Sequence, residues 1–181
     1  MRYISLLRGI NVSGQKKIRM IDLKAMYEKL GFQNVLTYIQ SGNVIFDTDI
    51  KNRAGVKKQI EQAIRKRFGF DVPVELRTRR ELSTIIKGCP FDSIDLDRNA
   101  ARFLVTFLSS QPARSRFNAI NEYAAASEKI VLKGTEIYLH CPDGYGKSRL
   151  SNAFLEQKLG VGATTRNWKS VLTLYELSGQ D

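Results

Sequence analysis

The sequence predicts an α+β fold of two ferredoxin-like halves, each a split β-α-β unit with an antiparallel sheet and helices on one face, plus an extra C-terminal helix. Three observations predict it. Short strand-like runs at 3–7, 35–39, 44–46 and 72–76 are interleaved with helical apolar spacing at 23–30 and 56–68. The same alternation starts again at residue 103. Polar turn signals, Gln40-Ser41-Gly42-Asn43 and Lys133-Gly134-Thr135, join neighbouring strands into hairpins.

Residues 3–7 form the first strand, and a loop runs on to about Arg19. Leu23, Met26, Tyr27 and Leu30 then fall on one helical face, with Gly31 placed for a C-terminal cap. Strands at 35–39 and 44–46 flank the Gln40-Asn43 turn. Val56, Ile60, Ala63, Ile64 and Phe68 mark a second helix, opened by Asn52 and closed by Gly69. Residues 72–76 complete β-α-β-β-α-β. Thr78-Arg79-Arg80-Glu81 is a capping box that opens a helix carrying Leu82, Ile85 and Ile86, which Gly88-Cys89-Pro90 stops. The acidic, irregular segment 91–101 reads as the interdomain connection.

Residues 103–108 begin the second half. Pro112 suits the first turn of a helix carrying Phe117, Ile120 and Ala124. A hairpin spans 130–132 and 137–140, and a helix carrying Leu150, Phe154 and Leu155 ends at Gly160. Trp168, Val171, Leu172 and Tyr175 mark the final helix, with Thr164 or Thr165 as its cap. The predicted organisation is 1–78, a connection at 79–101, and 102–181. The halves share a pattern of elements rather than obvious residues, which raises an internal duplication as a hypothesis. Both faces of strand 103–108 are apolar, so one must meet helices and the other the second domain or another subunit, making a homo-oligomer an expectation.

Charge is the second strong signal. The chain of 181 residues carries a net charge of +11. Residues 1–82 hold 17 Lys and Arg against 8 Asp and Glu, and residues 83–181 hold 12 against 10. A basic half attracts phosphate-bearing ligands, nucleic acid or an anionic surface. No apolar run reaches the roughly 20 residues that span a bilayer, and no signal peptide is legible at the N-terminus. These point to a cytoplasmic protein without membrane partners. Cys89 and Cys141, with one histidine, are too few for a usual zinc site, and a disulfide between them is not expected in the cytosol.

In a split β-α-β sheet the first two strands are parallel with the third between them. The loop after the first strand and the turn after the second therefore share one edge. This brings Arg8-Gly9-Ile10-Asn11 beside Ser41-Gly42-Asn43. Glycines permit close backbone approach, Asn and Ser offer donors and acceptors, and Arg8 offers a fork matched to phosphate or carboxylate. Lys16, Lys17 and Arg19 add charge on the flank.

Four motifs in order, LLRGINVSG, TYIQSGNVIF, GKSRLS and ATTRNW, resemble those of the domain-of-unknown-function family numbered 1697. The resemblance covers nearly the whole chain. It implies a bacterial cytosolic protein of two ferredoxin-like halves, and no established activity. Arg8, Gly9, Asn11, Gly14, Ser41, Gly42 and Asn43 match the first two motifs. Lys147 and Ser148 match the third, where an arginine is expected before the serine. Thr165, Arg166, Asn167 and Trp168 match the fourth. Ser13 stands where glycine is common.

The remaining motifs carry less. Gly144-Tyr145-Gly146-Lys147-Ser148 lies between a strand and a helix, but Cys141 occupies the first glycine position of a Walker loop. A looser secondary anion site at Lys147 and Ser148 remains open beside a plain helix cap. Arg166 and Asn167 in a first helical turn would reach an anion. His140 and Cys141 assemble no catalytic set, and Asp92, Asp95 and Asp97 form no metal loop. An RNA-recognition motif has the same element order, but its third strand is rich in aromatics and 41–46 is not. The sequence thus points to an anionic, phosphate-bearing ligand held by Arg8, Gly9, Asn11, Lys17, Ser41, Gly42, Asn43, Arg166 and Asn167, with no cofactor. A nucleic-acid-binding module and an enzyme acting on a phosphorylated metabolite are the alternatives.

Overall fold

The computed structural model describes residues 1–12, 14–91 and 100–180. Ser13, and the Asp92, Asp95 and Asp97 of the connection, lie outside the described residues. The chain forms two compact units, Met1–Ser83 with Leu174–Asp181, and Thr84–Thr173.

The first unit contains β1 (Arg2–Leu7), α1 (Met20–Lys29), β2 (Gln33–Tyr38), β3 (Asn43–Asp47), α2 (Arg53–Phe68) and β4 (Val74–Arg77). The sheet order is β2-β3-β1-β4, and each neighbouring pair is antiparallel. Helical spacing explains the packing. Leu23, Met26 and Tyr27 of α1 and Val56, Ile60 and Ile64 of α2 are buried with Tyr3, Leu7 and Phe46 of the sheet. Ser5 lies between Tyr3 and Leu7 on that face and shares a 2.7 Å hydrogen bond with the Tyr27 hydroxyl, so these two buried hydroxyls satisfy each other. Phe32 stacks on Phe46 at 4.5 Å. The opposite face is buried as well, with Ile4, Leu6 and Ile45 beside the buried charges Glu75 and Arg77. The α2 ends agree with the sequence: Asn52 accepts from the Gly55 N–H at 3.2 Å, and Gly69 closes the helix at φ 82°.

The predicted strand at 72–76 is shifted. Pro73 has no N–H for a ladder, and β4 starts after it at Val74.

The capping box forms as expected at the start of α3 (Arg79–Lys87): the Thr78 N–H donates to Glu81 Oε2 at 2.7 Å and the Glu81 N–H to Thr78 Oγ1 at 3.3 Å. Arg53 adds a bidentate pair to Glu81 at 2.8 and 2.9 Å.

The second unit contains β5 (Phe103–Leu108), α4 (Arg114–Ile120), β6 (Lys129–Lys133), β7 (Glu136–His140), α5 (Asn152–Leu159) and β8 (Ala163–Asn167). The sheet order is β6-β7-β5-β8, again antiparallel throughout. Leu104, Leu108, Ile137 and Leu139 pack with Phe117 and Ile120 of α4 and Leu155 and Leu159 of α5. Pro112 does not enter α4. Ala113 is the N-cap in extended backbone, and Pro112 precedes it.

The larger correction is at 163–167. Thr164 and Thr165 are not helix caps: they belong to β8, antiparallel to β5. The strand is polar in composition, which hid it, yet Thr164 is buried and Thr165 exchanges a 2.7 Å hydroxyl hydrogen bond with Thr106 across the ladder. The cap of α6 (Trp168–Leu177) is Asn167, whose Oδ1 accepts from the Ser170 N–H at 2.8 Å. Each half is therefore a full β-α-β-β-α-β unit followed by a helix. No helix among the described residues is long and apolar enough to cross a membrane.

Candidate functional site

The candidate site is the edge of the first sheet where β1 and β2 end. Both strands are antiparallel to β3, so both run to the same edge. The chain is fastened there on both sides: the Leu7 N–H donates to the Gly42 carbonyl and the Arg8 N–H to the Pro73 carbonyl, each at 2.9 Å. Arg8 thus leaves the sheet between the β2–β3 turn and the start of β4.

Asn11 organises the β1–α1 loop. Its Oδ1 accepts from the Ile18 N–H, and its Nδ2 donates to the carbonyls of Ile18 and Gln40, all at 2.9 Å. One amide therefore closes the loop on itself and ties it to the hairpin. Ile10 and Ile18 are buried beneath it. Gly9 and Asn11 have positive φ, 69° and 55°, on either side of Ile10.

Gly42 is required by space. Its φ is 75°, and a Cβ there would lie 2.5 Å from Ile10 Cδ1 and 2.9 Å from Leu7 Cβ. Asn43 is fully buried, and its Nδ2 donates to the Tyr38 carbonyl and to Ser41 Oγ, both at 3.0 Å. Asn43 thus holds the turn from below, and Ser41, half-buried, accepts one of its hydrogen bonds.

Cations flank the edge. Lys17 and Arg19 are exposed, and Arg8 is half-buried. Arg19 grips Asp22 through two hydrogen bonds of 2.6 and 3.1 Å. Lys16 donates to the Asp71 carbonyl at 2.6 Å, a tether across 55 residues that no local pattern could announce. Beside this segment a cavity of about 410 Å³ is lined by Glu61, Arg65, Asp71, Val72 and Pro73. Its walls carry both charges, and Glu61 Oε1 is committed to the Val74 N–H at 2.9 Å.

The fold thus brings Arg8, Gly9, Asn11, Ser41 and Gly42 together at one edge, with Asn43 beneath and Lys17 on the loop. Arg166 and Asn167 lie in the second unit, at the end of β8 rather than in a first helical turn as expected. Arg166 is a strand residue, 8% exposed, whose guanidinium donates to the Thr165 carbonyl at 2.9 Å. Burial pushes its pKa down to about 10. Asn167 spends its side-chain oxygen on the α6 cap.

Lys147 and Ser148 are also displaced from a helix start. Tyr145–Lys147 is a short 3-10 turn, the Ser148 hydroxyl accepts from the Leu150 N–H at 3.1 Å, and Ser151 caps α5 through the Phe154 N–H at 3.3 Å. His140 stacks on Phe103 at 4.5 Å, and its Nδ1 has no hydrogen-bond partner among the described residues. Burial, then Lys129, lowers its pKa. Burial first and Glu128 second push the neighbouring Cys141 thiol up to about 11, against a hydrogen bond from Ser148, so it is a neutral thiol at pH 7. Among the described residues no cluster of three or more His, Cys, Asp or Glu could hold a metal ion.

A family model described as "Protein of unknown function (DUF1697)" matches residues 1–138. No curated protein matches the chain. Among solved structures the chain is similar to a conserved bacterial protein from Streptococcus pneumoniae, SP0830, with a TM-score of 0.75 and 23% identity over 98% of each chain. At that identity the likeness is one of fold.

Proposed function

The chain belongs to the DUF1697 family, and for this member we propose that the β1–α1 loop and the β2–β3 turn bind an anionic, phosphate-bearing ligand. The observation that carries the reading is the Asn11 amide, which fixes the loop to itself and to Gln40 through three 2.9 Å hydrogen bonds. A loop held in one shape has already met the ordering cost of binding. On that frame Gly9 lets a ligand approach the backbone, and the N–H groups of Gly9 and Ile10 supply donors. Arg8 clamps the anion, Ser41 orients it, and Lys17 adds long-range attraction. Asn11, Gly42 and Asn43 hold the frame rather than touch the ligand. The named groups are cations, amides, a hydroxyl and backbone. They bind and orient, and none is a carboxylate or imidazole that would move a proton, which favours binding over catalysis at this edge.

One observation favours a nucleic acid as the phosphate-bearing ligand. Val12 and Ile39, neighbours of the bonded pair Asn11 and Gln40, are 58% and 47% exposed. An apolar rim beside cations suits a polyanion whose bases cover it.

The test is calorimetric titration of the full chain with inorganic pyrophosphate, alongside fluorescence anisotropy with a labelled single-stranded RNA at two salt concentrations. Arg8→Ala and Lys17→Ala are each expected to weaken binding about tenfold. RNA affinity that falls steeply with salt identifies the polymer as the ligand. Binding of either probe that survives both substitutions overturns the site.

A further inference from the structure

We propose a second, separate binding site, in the second unit, for a small zwitterion that carries an anionic group and an ammonium. It occupies a cavity of about 300 Å³ between the α4–β6 and β7–α5 connections. The register explains why these segments meet. Lys129 at the start of β6 stands opposite His140 at the end of β7, so the chain entering β6 and the chain leaving β7 lie side by side. The Ser127 hydroxyl donates to Asp143 at 3.2 Å and ties the two connections together.

The two walls carry opposite charge. Glu122 and Glu128 come from the first connection, and Lys147 and Arg149 from the second, with Ser148 between them. Some opposite charges of this chain close on each other, as in Lys57–Glu75 at 2.8 Å and Arg2–Asp47 at 2.9 Å. Here they do not: among the described residues Glu122, Lys147 and Arg149 make no ion pair. The lining thus carries both signs without an ion pair joining them. Its volume is at the lower end for a small-molecule site, roughly 300–1,000 Å³.

A molecule with one charge would satisfy one wall and be repelled by the other. A molecule with both, spaced by a few atoms, satisfies both. The cationic wall takes phosphate or carboxylate, with Arg149 offering a fork and Lys147 a point charge. The carboxylates take the ammonium, although Glu128 Oε2 already accepts from the Ala125 N–H at 2.9 Å.

O-phosphoethanolamine carries both groups and is the probe. Its titration into the full chain is followed by calorimetry and by backbone amide NMR shifts, beside inorganic phosphate and ethanolamine alone. The expected result is saturable binding with shifts at residues 122–128 and 147–149, at least about tenfold tighter than either fragment. Arg149→Ala should weaken phosphoethanolamine about tenfold, and Glu122→Gln should narrow its advantage over phosphate. Glu122 and Arg149 are exposed, so folding is not at stake. Arg8→Ala should leave the shifts at 122–128 and 147–149 unchanged, whatever it does to shifts at the loop edge, which separates the two sites. Phosphate binding as tightly as phosphoethanolamine, shifts confined to the loop 8–19, or no saturation would each overturn the proposal.

Discussion

Arg77 and Arg166 occupy equivalent strand positions in the two halves of the chain. Arg77 stands opposite Ile4 across the β1–β4 ladder, and Arg166 opposite Val105 across β5–β8. Each lies one residue before the cap of a following helix, Thr78 for α3 and Asn167 for α6. Each is buried, 6% and 8% exposed, and each guanidinium donates to the carbonyl of the residue before it, at 3.0 and 2.9 Å. Counting back along the ladders, Glu75 matches Thr164. Arg77 has that carboxylate at 3.8 Å, and Glu75 in turn accepts from Lys57 at 2.8 Å. The second half has an arginine at the equivalent position and a hydroxyl, Thr164, where the first has the carboxylate.

A buried arginine bonded to its own backbone is part of the framework. Arg166→Ala is expected to cost about 2–4 kcal/mol, because it strips hydrogen bonds to a charged group and leaves a void. Urea denaturation followed by far-UV circular dichroism measures this. If Arg166 acts on the fold, pyrophosphate affinity of the folded variant stays within about twofold of wild type. A large loss of affinity without loss of stability would return Arg166 to the binding site.

Gly9 and Gly42 separate two reasons for glycine at one edge. Both have positive φ, 69° and 75°, but a Cβ at Gly9 meets nothing within 4 Å, whereas at Gly42 it strikes Ile10 and Leu7. Gly9→Ala should cost about 1–2 kcal/mol, the penalty of the left-handed backbone alone. Gly42→Ala adds the clash and should cost about 2–5 kcal/mol. Thermal unfolding of the two variants checks the order. Equal losses would mean that the hairpin shifts freely to make room.

Much of this was legible in the sequence, and the exceptions share a cause. The strands of the first sheet, the Thr78–Glu81 capping box and the Asn52 and Gly69 caps come from apolar spacing and from residue types with one strong local use. The shared edge of the two loops comes from strand order. The parts that were not legible depend on the partner strand. Residues 163–167 are polar and read as a helix entry, but Thr165 finds Thr106 across the ladder and Arg166 is buried there. Strand order also places Arg8, Gly9, Asn11, Ser41 and Gly42 at one edge, without showing what each of them bonds there. That Asn11 and Asn43 brace the loops is seen only in their distances to Ile18, Gln40, Tyr38 and Ser41.

Asn11 is the test of that bracing. Asn11→Ala removes three hydrogen bonds and leaves the Ile18 N–H to find a new acceptor, an expected loss of about 1–3 kcal/mol. The loop is then no longer tied to Gln40. Amide exchange at residues 10–18 and 40–42 should quicken well beyond what the global loss explains, and pyrophosphate should bind more weakly although no direct contact was removed. Faster exchange with unchanged affinity would show that the preformed loop is not needed for binding.

His140 sets a pH dependence whose sign is fixed by its surroundings. Burial, and then the charge of Lys129, hold its folded pKa below the ordinary 6.5. The folded chain therefore prefers the neutral imidazole. The contribution to stability is fully present above pH 6.5, where the unfolded state is also neutral. It is lost as pH falls from there through the lower folded pKa, because the unfolded chain takes up the proton first. The ring stacks on Phe103 at 4.5 Å with the planes 12° apart, a geometry that another aromatic ring can keep. His140→Phe should thus retain the stack, remove a buried nitrogen and flatten the fall in melting temperature between about pH 6.5 and 5. An unchanged slope in that variant would show that His140 does not set the acid sensitivity in this window. Asp47 acts at lower pH: its pKa is lowered chiefly by the Arg2 hydrogen bonds, so its contribution is lost only as pH falls below the ordinary carboxylate range.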